Sequence, residues 1–154
     1  MTEKIIGVVV APDEVRVVLL TKDATLGFIL DEQTTMNLQH GGRAAAYNEI
    51  HGQFSDYVRQ HHAKCVCIKG SAVNQKGTGG AHLRAAELRG VIQAAAATTG
   101  VEVRIVIKAA VSRKSTRKVD AYLKDDEYWE SLGLPKLKKG LREAAFVAIS
   151  EFSD

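Results

Sequence analysis

The residues best equipped for chemistry in this sequence are cationic. Ser112-Arg113-Lys114-Ser115-Thr116-Arg117-Lys118 sets four positive charges and three hydroxyls within seven residues. Both side-chain types are common contacts to phosphate oxygens. The cations repeat at helical spacing, so a helix there would place Arg113 with Arg117 and Lys114 with Lys118. Acids at Asp120, Asp125, Asp126 and Glu127 follow and partly offset the charge, and a solvated helix face accounts for the segment equally well. A second candidate is the polar glycine run from Gly70 to Gly80, which leads from a strand end to a helix start. Exposed N–H groups and a helix dipole make such a junction an anion site in principle. It has neither a Walker A pattern nor a dinucleotide fingerprint, and the plain alternative is a flexible loop. Lys69 precedes this run, Lys76 lies within it and Arg84 follows it. The predicted nucleic-acid-binding set is therefore Lys69, Lys76, Arg84, Arg113, Lys114, Arg117 and Lys118, with DNA and RNA both open.

Other reactive side chains point to less. His61-His62-x-x-Cys65-x-Cys67 contains zinc-ligand types, but the two cysteines alternate along a strand, whereas structural zinc pairs sit on turns with at least two residues between them. Buried core thiols are the expected state, and no metal site is expected. His40, His51 and His82 lie near no serine or cysteine in a triad arrangement.

Length and composition bound the rest. A chain of 154 residues, 45% hydrophobic and 25% charged, is expected to form one domain over residues 1–154. Net charge is only +3, so any nucleic-acid affinity must come from local clustering. Two cysteines without a framework of spaced partners fit reduced thiols, and no apolar run approaches the ~20 residues of a membrane helix. The first residues run into a strand without a signal-peptide core, so a cytoplasmic protein is expected.

The elements that would position these groups can be read from hydrophobic spacing. Ile5–Val10 is a continuous β-branched run, suited to a central strand buried on both faces. Pro12-Asp13-Glu14 turns the chain into a partner strand over Val15–Leu20, and Leu26–Leu30 is a third strand at an edge. The polar, Thr-rich stretch Asp31 to Gly42 reads as loop. Ala44 to His62 shows one apolar helical face, Cys65–Ile68 is a strand, and Ala81 to Thr99 is a helix stopped by Gly100. Val101 to Ile107 alternates as a strand, a short basic helix is predicted from about Ser112 to Leu123, and Pro135 precedes a last helix from Lys136 to Phe152. A leading meander followed by alternating helices and strands predicts an α/β fold: a five-stranded mixed sheet, antiparallel then parallel, with helices on both faces.

That order resembles the RNase H-like arrangement and, within it, the RuvC-type Holliday-junction resolvases and short bacterial proteins related to them. The carrying residues are Ile5-Ile6-Gly7-Val8-Val9, Val66-Cys67-Ile68-Lys69, the helix from Leu83 to Ile92, the strand Val103–Lys108 and the closing run Leu141 to Ile149. The resemblance implies a nuclease site of three or four carboxylates holding two divalent cations. It also implies a homodimer formed through helices. Carried over by position, the first-strand aspartate falls at Val9, or at Val8 with a one-residue slip. The fourth-strand glutamate falls at Lys69, and the last-helix aspartates fall near Leu141 and Glu143. One surviving glutamate does not hold Mg²⁺ against its hydration shell. The expectation is a catalytically inactive relative, with no catalytic residues and no cofactor, that binds nucleic acid. A dimeric protein-interaction module competes with that reading. A divergent Mg²⁺-dependent nuclease with a relocated site is the further alternative, and it would draw on Glu87, Asp120 and Glu143. Left facing each other, Lys69 and Glu143 are expected to pair.

Overall fold

The structure, a computed structural model, describes residues 2–70, 79–107 and 117–152. Strands β1 (Thr2–Val10), β2 (Glu14–Asp23), β3 (Gly27–Asn37), β4 (Cys65–Lys69) and β5 (Glu102–Val106) form one sheet in the order β3-β2-β1-β4-β5. β1 pairs antiparallel with β2 and parallel with β4, so the β-branched run of the sequence occupies the middle of the sheet. β2 pairs antiparallel with β3, and β4 parallel with β5, giving the expected mixed sheet.

Strand alternation sends successive side chains to opposite faces. Ile5, Val9, Cys65 and Cys67 join one apolar core; Ile6, Val8, Val66 and Ile68 join the other. Helices α1 (Arg43–His61) and α2 (Gly80–Thr98) cover the second face with Ile50, Phe54, Leu88 and Ile92, all essentially buried. Each such side chain is worth roughly 1.5–3 kcal/mol of hydrophobic transfer. Ala95 and Ala96 are fully buried on this face, so part of the alanine run packs within the chain.

The first face is covered by α5 (Arg142–Phe152). Before it come α3 (Val119–Lys124), α4 (Asp126–Ser131) and a 3₁₀ turn, Lys139–Leu141. Gly7 lies on this face, and a Cβ built there would collide with the Ala144 carbonyl. Glycine at that one position lets the α5 backbone rest on β1. Among the described residues, no helix is long and apolar enough to cross a membrane.

Three sequence expectations are corrected. β3 runs on to Asn37, through residues assigned to a loop: Asp31 is the extra residue at a register shift, and Glu32 to Thr35 pair with β2 while their side chains stay largely in solvent, so no apolar run marks the strand. Threonine's β-branched shape suits such an edge. The last helix begins at Arg142, not Lys136, because residues before it tighten into the 3₁₀ turn. Of the predicted basic helix, residues 112–116 lie outside the described residues, and the part that is described departs from the prediction. Lys118 is extended, with φ −66° and ψ 146°, and the helix starts at Val119, so Arg117 and Lys118 lie outside it. α4 is an element the hydrophobic spacing did not reveal.

Candidate functional site

Strand parity and register assemble the site. The β1–β4 pairing matches Val8 with Ile68, and one step further brings Val9 alongside Lys69 on the face covered by α5. Gly7 brings α5 down onto that face, and Glu143 is the residue before its contact point, Ala144. Lys69 Nζ donates to Glu143 Oε1 at 3.0 Å, so the expected pair is formed. Both side chains are partly exposed, at 31% and 24%, so solvent screens the pair and it is worth no more than about 1 kcal/mol.

A two-cation nuclease site needs several carboxylates converging on one point. Here Val9 and Leu141 are buried apolar residues, Lys69 contributes an ammonium, and Glu143 is engaged by it. The residues do not fit a divalent-cation centre. Among the described residues, no three His, Cys, Asp or Glu side chains group as metal ligands anywhere. The cysteine sulfurs are 3.9 Å apart and buried. Contact with Cys65, then burial, pushes the Cys67 thiol well above its usual range, as expected of core thiols. His61 instead faces Glu32 at 3.6 Å and packs on the Tyr57 ring.

The structure scatters the remaining acids. Glu87 accepts from the Tyr47 hydroxyl at 3.3 Å, and Arg43 donates both to that hydroxyl and to Asp13. Glu87 thus ends a chain linking the β1–β2 turn, α1 and α2, on the sheet face opposite Glu143. Asp120 sits in the first turn of α3, where an acid suits the helix dipole. Glu87, Asp120 and Glu143 lie on three different helices, and Glu87 is separated from Glu143 by the sheet.

Of the cationic set, Lys76, Arg113 and Lys114 lie outside the described residues, as does most of the glycine loop. Arg84 is exposed on the first turn of α2, and Lys118 is exposed at the entry to α3. Arg117 is committed: it donates to Asp125 Oδ2 at 3.0 Å and to the Ala121 carbonyl at 2.9 Å, and its Cζ lies 4.5 Å from the Tyr122 ring centroid. Arg117 is thus fixed by partners in α3 and at its end, ahead of the point where the helix begins.

One cation of the C-terminal third is a core element rather than part of the surface. Arg142 is 5% exposed, donates to the Leu123 carbonyl at 3.0 Å and to Asp126 Oδ1 at 2.7 Å, and stands over Trp129. It bolts α3 and α4 to the start of α5, one residue from Glu143. Asp126 is held below the usual carboxylate range, first by the Arg142 hydrogen bond and then by Lys139. Asp125 is lowered first by Arg117 and then by the Tyr128 N–H it caps.

No family model matches the chain, and no curated protein matches it in sequence. The likeness lies in solved structures. RuvC of Thermus thermophilus superposes with a TM-score of 0.71 at 13% identity, covering 97% of this chain and 92% of that one. The T. thermophilus RuvC in complex with a Holliday junction substrate gives 0.71 at 14% identity, covering 96% and 91%. The yeast mitochondrial Holliday junction resolvase gives 0.62 at 9% identity, covering 96% and 77%. At these identities the likeness concerns architecture, and the architecture is that of an RNase H-like, RuvC-like fold.

Proposed function

We propose that this chain is a non-hydrolytic RuvC-like protein that binds nucleic acid. One observation supports the reading: at the positions to which the resemblance carries the nuclease carboxylates, this chain has a lysine–glutamate ion pair and a buried valine. A site of that kind neither activates water through a divalent cation nor repels a phosphate as a carboxylate cluster would. The solved structures of similar fold include RuvC bound to a Holliday junction, which makes branched DNA the first ligand to try.

Incubation with branched, duplex and single-stranded substrates and Mg²⁺ or Mn²⁺ is expected to yield no cleavage. Cleavage that Glu143→Gln abolishes would overturn the reading. Binding to the same panel is expected to weaken steeply as salt rises, with log affinity falling linearly in log salt. Replacing Arg113, Lys114 and Lys118 together with Glu is expected to remove that binding. Arg117 stays out of this variant because a glutamate there would face Asp125.

The competing reading, a dimeric protein-interaction module, draws on the outer surface of α1 and α2. Tyr47, His51, Gly90, Val91 and Ala94 line a groove of about 510 Å³ between the two helices. A stable homodimer by sedimentation, with no nucleic-acid affinity at low salt, would favour it.

A further inference from the structure

Arg117 is held in a way that phosphate contact does not require. Asp125 fixes one guanidinium nitrogen, the Ala121 carbonyl fixes another, and the Tyr122 ring lies beneath Cζ. Tyr122 is itself stacked on Phe146, with centroids 5.4 Å apart and planes 29° from parallel. Phe146 is buried on α5, three residues beyond Glu143, so this stack stands one helical turn from the strand-end site. The Arg117 side chain nevertheless remains 42% exposed.

A mobile lysine would serve a phosphate as well, because a point charge needs no fixed plane. Arg117 differs in two respects. Its charge is already engaged by Asp125, and its plane is immobilised on an aromatic column. A planar guanidinium resting on aromatic rings is a surface on which an unstacked base settles.

We propose that Arg117, seated on Tyr122, is a stacking platform for an unpaired nucleobase beside the strand-end site. The proposal rests on the nucleic-acid reading above and deepens it: the ligand carries at least one base outside a duplex. Unpaired bases occur in both DNA and RNA, and the shared chemistry is the exposed face of the base.

Fluorescence anisotropy at low salt tests this with four probes: a thymidine 12-mer, its uridine counterpart, a 12-mer with abasic sites, and a blunt duplex. Wild type is expected to favour the base-bearing strands over the abasic one by about tenfold, on the scale of a single base stack. The thymidine and uridine arms show which nucleic acid supplies the base. Arg117→Lys keeps the charge and is expected to bring the base-bearing and abasic affinities together, leaving the salt dependence unchanged. Arg117→Gln, planar but neutral, is expected to retain part of the preference, and it serves should the lysine variant not fold. Equal wild-type affinity for base-bearing and abasic strands, or a preference that survives Arg117→Lys, would overturn the proposal while leaving nucleic-acid binding intact. Absence of any wild-type binding at low salt would overturn both together.

Discussion

The α1–α2 layer and the α5 layer cover opposite faces of the same sheet by different means. α1 and α2 are 19 residues each and meet the strands through aliphatic and aromatic side chains such as Ile50, Phe54 and Leu88. α5 has 11 residues, touches β1 backbone to backbone at Gly7, and depends on short neighbours held by Arg142, Asp126 and Trp129. The candidate site lies entirely on the second side. The candidate site is located where the fold is assembled from short pieces and charges, while the long helices meet the sheet through buried apolar side chains and keep their ion pairs at the surface.

The comparison is broken most severely at Gly7. Gly7→Ala is expected to cost ~3 kcal/mol or more, because α5 has to retreat from the new methyl. Ile92→Val on the other face is expected to cost about 1 kcal/mol. Urea unfolding measures both, and a Gly7→Ala protein as stable as wild type would mean that α5 has slack. The second test replaces a cation on each side. Arg142→Met should lose about 2 kcal/mol, because the Leu123 carbonyl and the Asp126 carboxylate both lose the donor that the buried guanidinium supplies. Arg43→Met should lose less than about 1 kcal/mol, since its partner Asp13 is well exposed.

Acid sharpens the same contrast. Asp125 and Asp126 have folded pKa values below their ordinary ones, so the stability they supply is present above about pH 4 and is lost as pH falls through the lowered values. The single tryptophan, Trp129, is fully buried among these elements and reports on them directly. Its fluorescence is expected to change below about pH 4 before the far-ultraviolet signal of α1 and α2 does, and Asp126→Asn should flatten part of the early change. Simultaneous loss of both signals would show that the two layers do not respond separately. The smallest effect is expected at Tyr47→Phe, about 0.5 kcal/mol by thermal unfolding, since its bond to Glu87 is long and exposed.

The sheet was legible in the sequence wherever burial left a pattern. The two-faced run in β1, the strand ending at Lys69 and the position of Glu143 were each readable, and so was the pairing of those two charges. What escaped notice was polar. β3 beyond Leu30 carries solvent-facing side chains, and ladder hydrogen bonds have no signature in composition. Arg142 looks like any surface cation until the Leu123 carbonyl and the Trp129 ring come to it from residues 13 to 19 positions away. Arg117 has the spacing of a helix residue, yet its partners Ala121, Tyr122 and Asp125 hold it before the helix begins. Long-range partners decide these roles, and one-dimensional spacing does not show them.

The length and polarity of β3 bear on how copies of this chain meet at high concentration. An open strand edge invites a neighbour's strand, and a long flat one is an aggregation hazard. β3 is eleven residues long and ends the sheet, but Asp31 and Glu32 are exposed at its middle, and the pairing slips between Leu19 and Leu20. Two such edges laid antiparallel would bring four carboxylates together and mismatch at the slip. The β3 edge therefore discourages strand-to-strand fibres, whatever its length would otherwise invite.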